Sequence, residues 1–139
     1  MIRYRESLDG ITADQLEGFF VGWRDPRTPA EHLALLRGSD LIALAVDSET
    51  DRVVGFATAL TDGVQAAFIP LLEVLPGFQG RGIGTELVRG LLDRLGTIPA
   101  IDLTCDPELQ PFYRRFGMHP SVGMLLRRTP ALPTIDRAD

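Results

Sequence analysis

The chain has 139 residues, 45% of them hydrophobic and 24% charged, with a net charge of −5 at pH 7. That length supports one domain with a genuine core, and the acidic balance argues against a polyanion such as DNA as the main partner. All 14 basic residues are arginine, which excludes a Schiff-base or P-loop lysine, and the single cysteine, Cys105, excludes an internal disulfide and a cysteine-rich zinc site.

The elements follow in chain order. Ile2–Glu6 alternates in polarity and predicts a first strand. Arg3, Arg5 and Glu6 are not followed by an apolar run, so no signal peptide or anchor is expected there. Thr12 to Gln15 has the capping-box pattern, and Leu16, Phe19 and Phe20 recur at helical spacing, which predicts a helix. Thr28 as cap, Pro29 at the first helical position and Glu31 three residues after the cap predict a second helix, stopped at Gly38. Leu41–Val46 and Arg52–Leu60, joined by the polar turn Ser48–Asp51, predict a hairpin. The Leu41–Val46 run is far too short to span a bilayer. No membrane partner and a cytoplasmic location are expected.

Ala66–Leu75 predicts a further strand, in which Pro70 implies a bulge or break. After Pro76-Gly77 comes Gln79-Gly-Arg-Gly-Ile-Gly84, and then an amphipathic helix with Ile83, Leu87, Val88, Leu91, Leu92 and Leu95 on one face. Gly96 and Pro99 close it. Ile101–Thr104 predicts a short strand. Asp106 and Pro107 open another helix, with Leu109, Phe112 and Phe116 facing inward and Gly117 as stop. Val122–Arg128 predicts a last strand. The tail from Thr129, with Pro130 and Pro133 and no period, is expected to be mobile. The domain is thus expected over residues 1–128 and the tail over 129–139.

The glycine-rich turn is the strongest chemical signal. Closely spaced glycines allow a tight turn and leave the backbone open to a ligand. Several N–H groups at a helix N-terminus can then meet one anion, with a pyrophosphate as the natural ligand. Gln79 and Arg81 add polar and positive groups at the rim. A plain strand-to-helix turn that happens to use glycine is the bland alternative. A Rossmann site is a further one, because Asp102 lies at a suggestive distance, but the spacing Gly80-x-Gly82-x-Gly84 is not that fingerprint. The second signal is Phe112-Tyr-Arg-Arg-Phe-Gly-Met118. Its bland reading is a helix end with aromatic packing, and its functional reading is a phenol, Tyr113, able to give a proton.

Taken together, the two segments resemble the GNAT superfamily of N-acetyltransferases. Gln79-x-x-Gly82-x-Gly84 resembles its motif A, Q/R-x-x-G-x-G/A, and Tyr113-x-x-x-Gly117-Met118 its motif B, Y-x-x-x-G-F. The match covers about residues 68 to 118. The resemblance implies an α/β (α+β) fold with a mixed, mostly antiparallel sheet of six or seven strands flanked by four helices. It implies acetyl-CoA as co-substrate and a primary amine as acceptor. The pantetheine arm would pair with backbone groups of Val74 and Leu75 as an added strand does. The pyrophosphate would rest on amides of Gly80, Arg81, Gly82, Ile83, Gly84 and Thr85, beside Gln79, and an amide near Glu73 or Val74 would hold the oxyanion. Tyr113 would protonate or hydrogen-bond the departing thiolate.

An alkylammonium of pKa about 10.4 is almost wholly protonated at neutral pH, so a base is wanted. Glu73, among Leu71, Leu72, Val74 and Leu75, is the first candidate, with a Glu on the solvent side of a strand end as the alternative. His32 and His119 are weaker ones, His119 reading as a surface turn residue. No metal is expected. Phe19, Phe20 and Trp23 would either line the acceptor pocket or belong to the core. Cys105 reads as a small buried hydrophobe.

Two departures from the family pattern stand out. Asp106 occupies the place of an Asn in motif B; its cap role survives, but a charge there is less welcome to a thiolate. Only one strand's worth of sequence follows the last helix, which leaves an open edge, and either a homodimer through Val122–Arg128 or a monomer whose tail from Thr129 folds back over that edge is expected. The competing functions are a non-catalytic acyl-CoA-binding or sensing module and a small nucleotide-binding α/β protein.

Overall fold

The computed structural model describes residues 1–128. The tail from Thr129 lies outside the described residues. Residues 1–128 fall into two compact units, Met1–Thr104 and a second from Cys105 onward.

The first unit is a five-stranded sheet of order β1-β2-β3-β4-β5. Its strands are β1 (Ile2–Arg5), β2 (Leu41–Asp47), β3 (Arg52–Thr61), β4 (Ala66–Val74) and β5 (Ala100–Asp102). β1 to β4 pair antiparallel in sequence order, and β5 joins β4 in parallel after the crossover helix α2 (Ile83–Leu95). The sheet is therefore mostly antiparallel, as expected. β2 and β3 read as nearly continuous apolar runs because both their faces are covered: Leu44 to Val46 and Val53 to Ala59 are all buried.

Helix α2 lies on one face through Ile83, Leu87, Leu91 and Leu95. It comes so close that a Cβ on Gly55 would sit 3.1 Å from Leu87 Cδ1 and 3.2 Å from Ile83 Cγ2. Phe56, the next residue and so on the opposite face, meets Phe19, Phe20 and His32 at centroid distances of 5.2, 6.0 and 4.3 Å. His32 belongs to α1 (Pro29–Arg37), which opens on the expected capping box: Thr28 accepts from the Glu31 N–H at 3.1 Å, and Glu31 accepts from the Thr28 N–H at 2.9 Å.

Three expectations are corrected. The helix predicted from Leu16 to Phe20 is a single 3-10 turn, Ala13–Leu16. Glu17 is extended, Gly18 has φ +94° and Phe20 φ +64°. The backbone groups that would continue a helix are claimed by distant side chains: Arg52 donates to the Glu17 carbonyl at 2.7 Å, and Glu73 accepts from Phe20 and Val21. Second, Val122–Arg128 is no strand. Val122, Met124 and Leu126 alternate as a strand would, yet they are 97%, 98% and 72% exposed, with no sheet neighbour among the described residues. Third, the described residues hold five strands and three α-helices, not six or seven and four.

In the second unit, α3 is short (Gln110–Arg114) and follows the 3-10 turn Pro107–Leu109. Leu109, expected to face inward, is exposed. Asp106 stands at the cap position, but its side chain makes no cap hydrogen bond; its backbone carbonyl takes the Leu109 N–H at 2.9 Å instead.

Candidate active site

The site grows out of β4. Its first residues pair with both neighbours: Ala66, Ala67 and Phe68 register with Ala100, Ile101 and Asp102 of β5. There the parallel pairing ends. On the β3 side, Thr58 pairs with Leu71 and Leu60 with Phe68, so Ala59 faces two residues, Ile69 and Pro70. This is the bulge that Pro70 predicted, and a residue with no N–H sits where β4 loses its parallel partner. From Leu71 to Val74 the strand pairs only with β3 among the described residues.

Backbone direction decides which groups face the vacated side. The Leu75 N–H donates to the Val54 carbonyl of β3 at 2.9 Å, and the Leu75 carbonyl accepts from Phe78 at 2.8 Å, so both Leu75 groups are engaged. Alternation along the strand turns the Val74 groups the other way. The Val74 carbonyl there accepts from Gln79 Nε2 at 3.0 Å. Of the two residues expected to offer backbone to a ligand, Val74 is the one so oriented.

The glycine turn follows at once. Gly80 and Gly82 have φ +78° and +81°, and Gly82 is the N-cap of α2. A Cβ at either would meet nothing within 4 Å, so glycine is required by backbone conformation and not by crowding. The first helical bond is Glu86 N–H to Gly82 O at 3.2 Å, which leaves the amides of Ile83, Gly84 and Thr85 at the positive end of the helix. Arg81 is held there by the Gly77 carbonyl, 3.3 Å from Nη2, with its guanidinium 5.0 Å from the Phe78 ring centroid. Free amides at a helix start beside a guanidinium are groups that can receive an anion.

A cavity of about 330 Å³ opens beside it. Leu71 to Val74 form one wall, Pro76 and Gln79 its edge, Phe56 another part, and Val21 and Trp23 close it from the irregular segment after Gly18. Glu73 is the one ionisable residue among these. Its Oε1 accepts the Phe20 N–H at 2.8 Å and its Oε2 the Val21 N–H at 3.2 Å. Val21, Phe56, Leu71 and Leu72 were not singled out from sequence. The available signal was the glycine pair Gly18 and Gly22, both with positive φ, which marks a segment that turns instead of continuing a helix.

His32, a weaker base candidate, does not line this cavity. It is fully buried with no hydrogen-bond partner on either nitrogen, ringed by Phe19 at 5.2 Å, Phe20 at 4.9 Å and Phe56 at 4.3 Å. Burial pulls its pKa down to about 4, so it is a neutral core residue at pH 7. Phe19 and Phe20 are core as well, and Trp23 is half-exposed.

In the second unit, Tyr113 packs edge-on against Phe112, 4.9 Å between centroids. Burial, and then the Cys105 thiol, push the Tyr113 phenol up to about 12, so it holds its proton at neutral pH. Cys105 is half-buried, its thiol raised by burial and by Asp106 and Glu108, which does not make a nucleophile. His119 is exposed, as expected. No cluster of potential metal ligands occurs among the described residues.

These features define a mixed α/β fold with a strand edge opened beside a glycine turn. The profile of the acetyltransferase (GNAT) family matches residues 8–118, and the chain belongs to that family. A candidate acetyltransferase from Deinococcus radiodurans R1 superposes with a TM-score of 0.88 at 41% identity, covering 94% of each chain. A GNAT family acetyltransferase from Streptococcus pneumoniae TIGR4 gives 0.74 at 27% identity, covering 93% of this chain and all of that one. By sequence, the chain is 32% identical over 116 residues to GCN5-related N-acetyltransferase 1, chloroplastic, of Arabidopsis thaliana. That alignment takes in 81% of this chain but only 59% of the plant protein.

Proposed function

We propose that this chain transfers the acetyl group of acetyl-CoA to the nitrogen of a primary amine. The observation that carries the proposal is the edge of β4. Its parallel pairing stops at Phe68, Val74 turns its backbone to the vacated side, and the amides at the start of α2 follow within a few residues. A ligand with an amide-bearing arm and a pyrophosphate matches both features.

In the proposed reaction the amine lone pair attacks the thioester carbonyl carbon. The oxyanion collapses, the C–S bond breaks and the thiolate leaves with its electron pair. The nitrogen gives up its proton to solvent water, and the products are an N-acetyl amide and the free thiol. Tyr113 is assigned to the departing sulfur. A phenol at about 12 is a weaker acid than a thiol at about 8.5, so its part is to donate a hydrogen bond to the thiolate, with protonation completed by solvent. Apart from Glu73 and Gln79 the side chains lining the cavity are apolar, which suits an amine with an apolar or aromatic body, and the Glu73 charge favours a cationic head.

A cytoplasmic location belongs to the same proposal. Among the described residues no helix is long and apolar enough to cross a membrane. A homodimer is proposed on the exposed Val122, Met124 and Leu126, and a monomer mass in light scattering would remove it. Titration calorimetry tests the donor half. Acetyl-CoA should bind at micromolar strength, and ADP, which lacks pantetheine, far more weakly. Equal affinities would reduce the turn to a plain nucleotide cradle.

A further inference from the structure

We infer that Glu73 is a positioning residue that fixes the acceptor wall through the backbone of Phe20 and Val21, and that it is not the general base. The inference rests on the acetyltransferase reading and adds how its acceptor side is held.

The segment from Glu17 to Trp23 has little regular structure of its own. Gly18, Phe20 and Gly22 all carry positive φ, at +94°, +64° and +82°. For the two glycines this is ordinary. For phenylalanine, with a Cβ and a bulky ring, it is disfavoured and needs outside support. The alternation curls the backbone so that two successive N–H groups, of Phe20 and Val21, converge on one point, a small anion nest. The Glu73 carboxylate, arriving from β4 53 residues later, fills it at 2.8 and 3.2 Å. Arg52 fastens the other end of the segment at the Glu17 carbonyl, 2.7 Å away.

This clamp has two consequences. The Phe20 ring is sealed into the core, 5.0 Å from Trp23 and 4.9 Å from His32 between centroids. Val21 and Trp23 are left on the cavity wall, 58% and 48% exposed. Both carboxylate oxygens are engaged by backbone N–H groups of the same segment, so the geometry gives Glu73 the part of an anchor.

Glu73→Gln is the direct test. Its side chain keeps one acceptor oxygen but turns an NH₂ toward the second backbone N–H. Trp23 is the sole tryptophan of the chain, so its emission reports on the wall alone. The expected result is a shifted Trp23 emission and an acceptor KM raised on the order of tenfold, the scale of one lost hydrogen bond to a charged group. The pH profile of kcat and the affinity for acetyl-CoA should stay as in the parent. Glu73→Asp, which keeps the charge but shortens the reach, should shift Trp23 and raise the acceptor KM in the same direction. The inference is overturned if Glu73→Gln leaves Trp23 emission and acceptor KM unchanged while kcat loses its dependence on pH, or if Glu73→Asp behaves as the parent. A parent protein that neither binds acetyl-CoA nor turns over would instead overturn the acetyltransferase reading.

Discussion

Two walls leave the end of β4, and they are built in different ways. The proposed donor wall, from Val74 through the glycine turn, runs into a regular helix held by a long apolar face against β3. The proposed acceptor wall, from Glu17 to Trp23, is irregular chain held by two side chains from strands, Arg52 and Glu73. The first is fixed by many contacts that no single change removes. The second depends on a few hydrogen bonds. A wall of the second kind can be altered without disturbing the first.

The largest expected effect is on the donor scaffold. Leu87→Ala removes a side chain that is 1% exposed and packed where α2 meets Gly55. It should cost about 3 kcal/mol of stability in urea unfolding, within the usual range for such truncations. A loss far below that would mean α2 is less firmly docked than the contrast requires.

Next comes Tyr113→Phe, which keeps the ring and deletes the phenol. Turnover should fall on the order of a hundredfold with acetyl-CoA binding unchanged, which separates chemistry from both walls. Undiminished turnover would release Tyr113 from its assigned role.

The acceptor side has a pH signature beneath it. His32 is held at about 4 in the folded protein against 6.5 when free. The unfolded chain therefore takes up the proton first, and stability is complete above about pH 6.5 and is lost as pH falls toward 4. Between pH 7 and 5 the loss should be about 2 kcal/mol. His32→Leu should flatten that window, and an unchanged pH dependence in this variant would move its origin elsewhere.

The smallest expected effect is at Gly82. A Cβ added there meets nothing within 4 Å, so the strain of positive φ is the main cost of valine at this position. Acetyl-CoA affinity should fall about tenfold, while Trp23 emission stays as in the parent. A coupled change in Trp23 would show that the two walls are not independent.

The same contrast explains what could be read from the sequence. α2 was legible because its apolar spacing, its glycine entry and its stop at Gly96 all agree, and tertiary packing only confirms them. The irregularity at Pro70 was legible because a missing N–H removes a ladder donor, and of the bulge or break it implied, the bulge is what forms. The helix predicted at Leu16–Phe20 failed because its period is satisfied equally by a core segment. Its backbone partners, Arg52 and Glu73, lie 35 and 53 residues away. Glu73 could be placed near the site from its strand, but nothing local announces that its oxygens are taken by Phe20 and Val21. Val122–Arg128 misled in the opposite way: it has the alternation of a strand, and no partner strand among the described residues.

The central claim is catalysis, and the most direct measurement is release of the free coenzyme A thiol from acetyl-CoA as amines are added one at a time. The set should run from polyamines and amino acids to aryl-alkyl amines and peptide N-termini, with each product weighed by mass spectrometry. The account predicts amine-dependent thiol release, matched mole for mole by an acetylated product, strongest for amines with an apolar or aromatic body. Tight binding of acetyl-CoA with no amine-dependent release across that set would contradict it and leave a non-catalytic acyl-CoA-binding module.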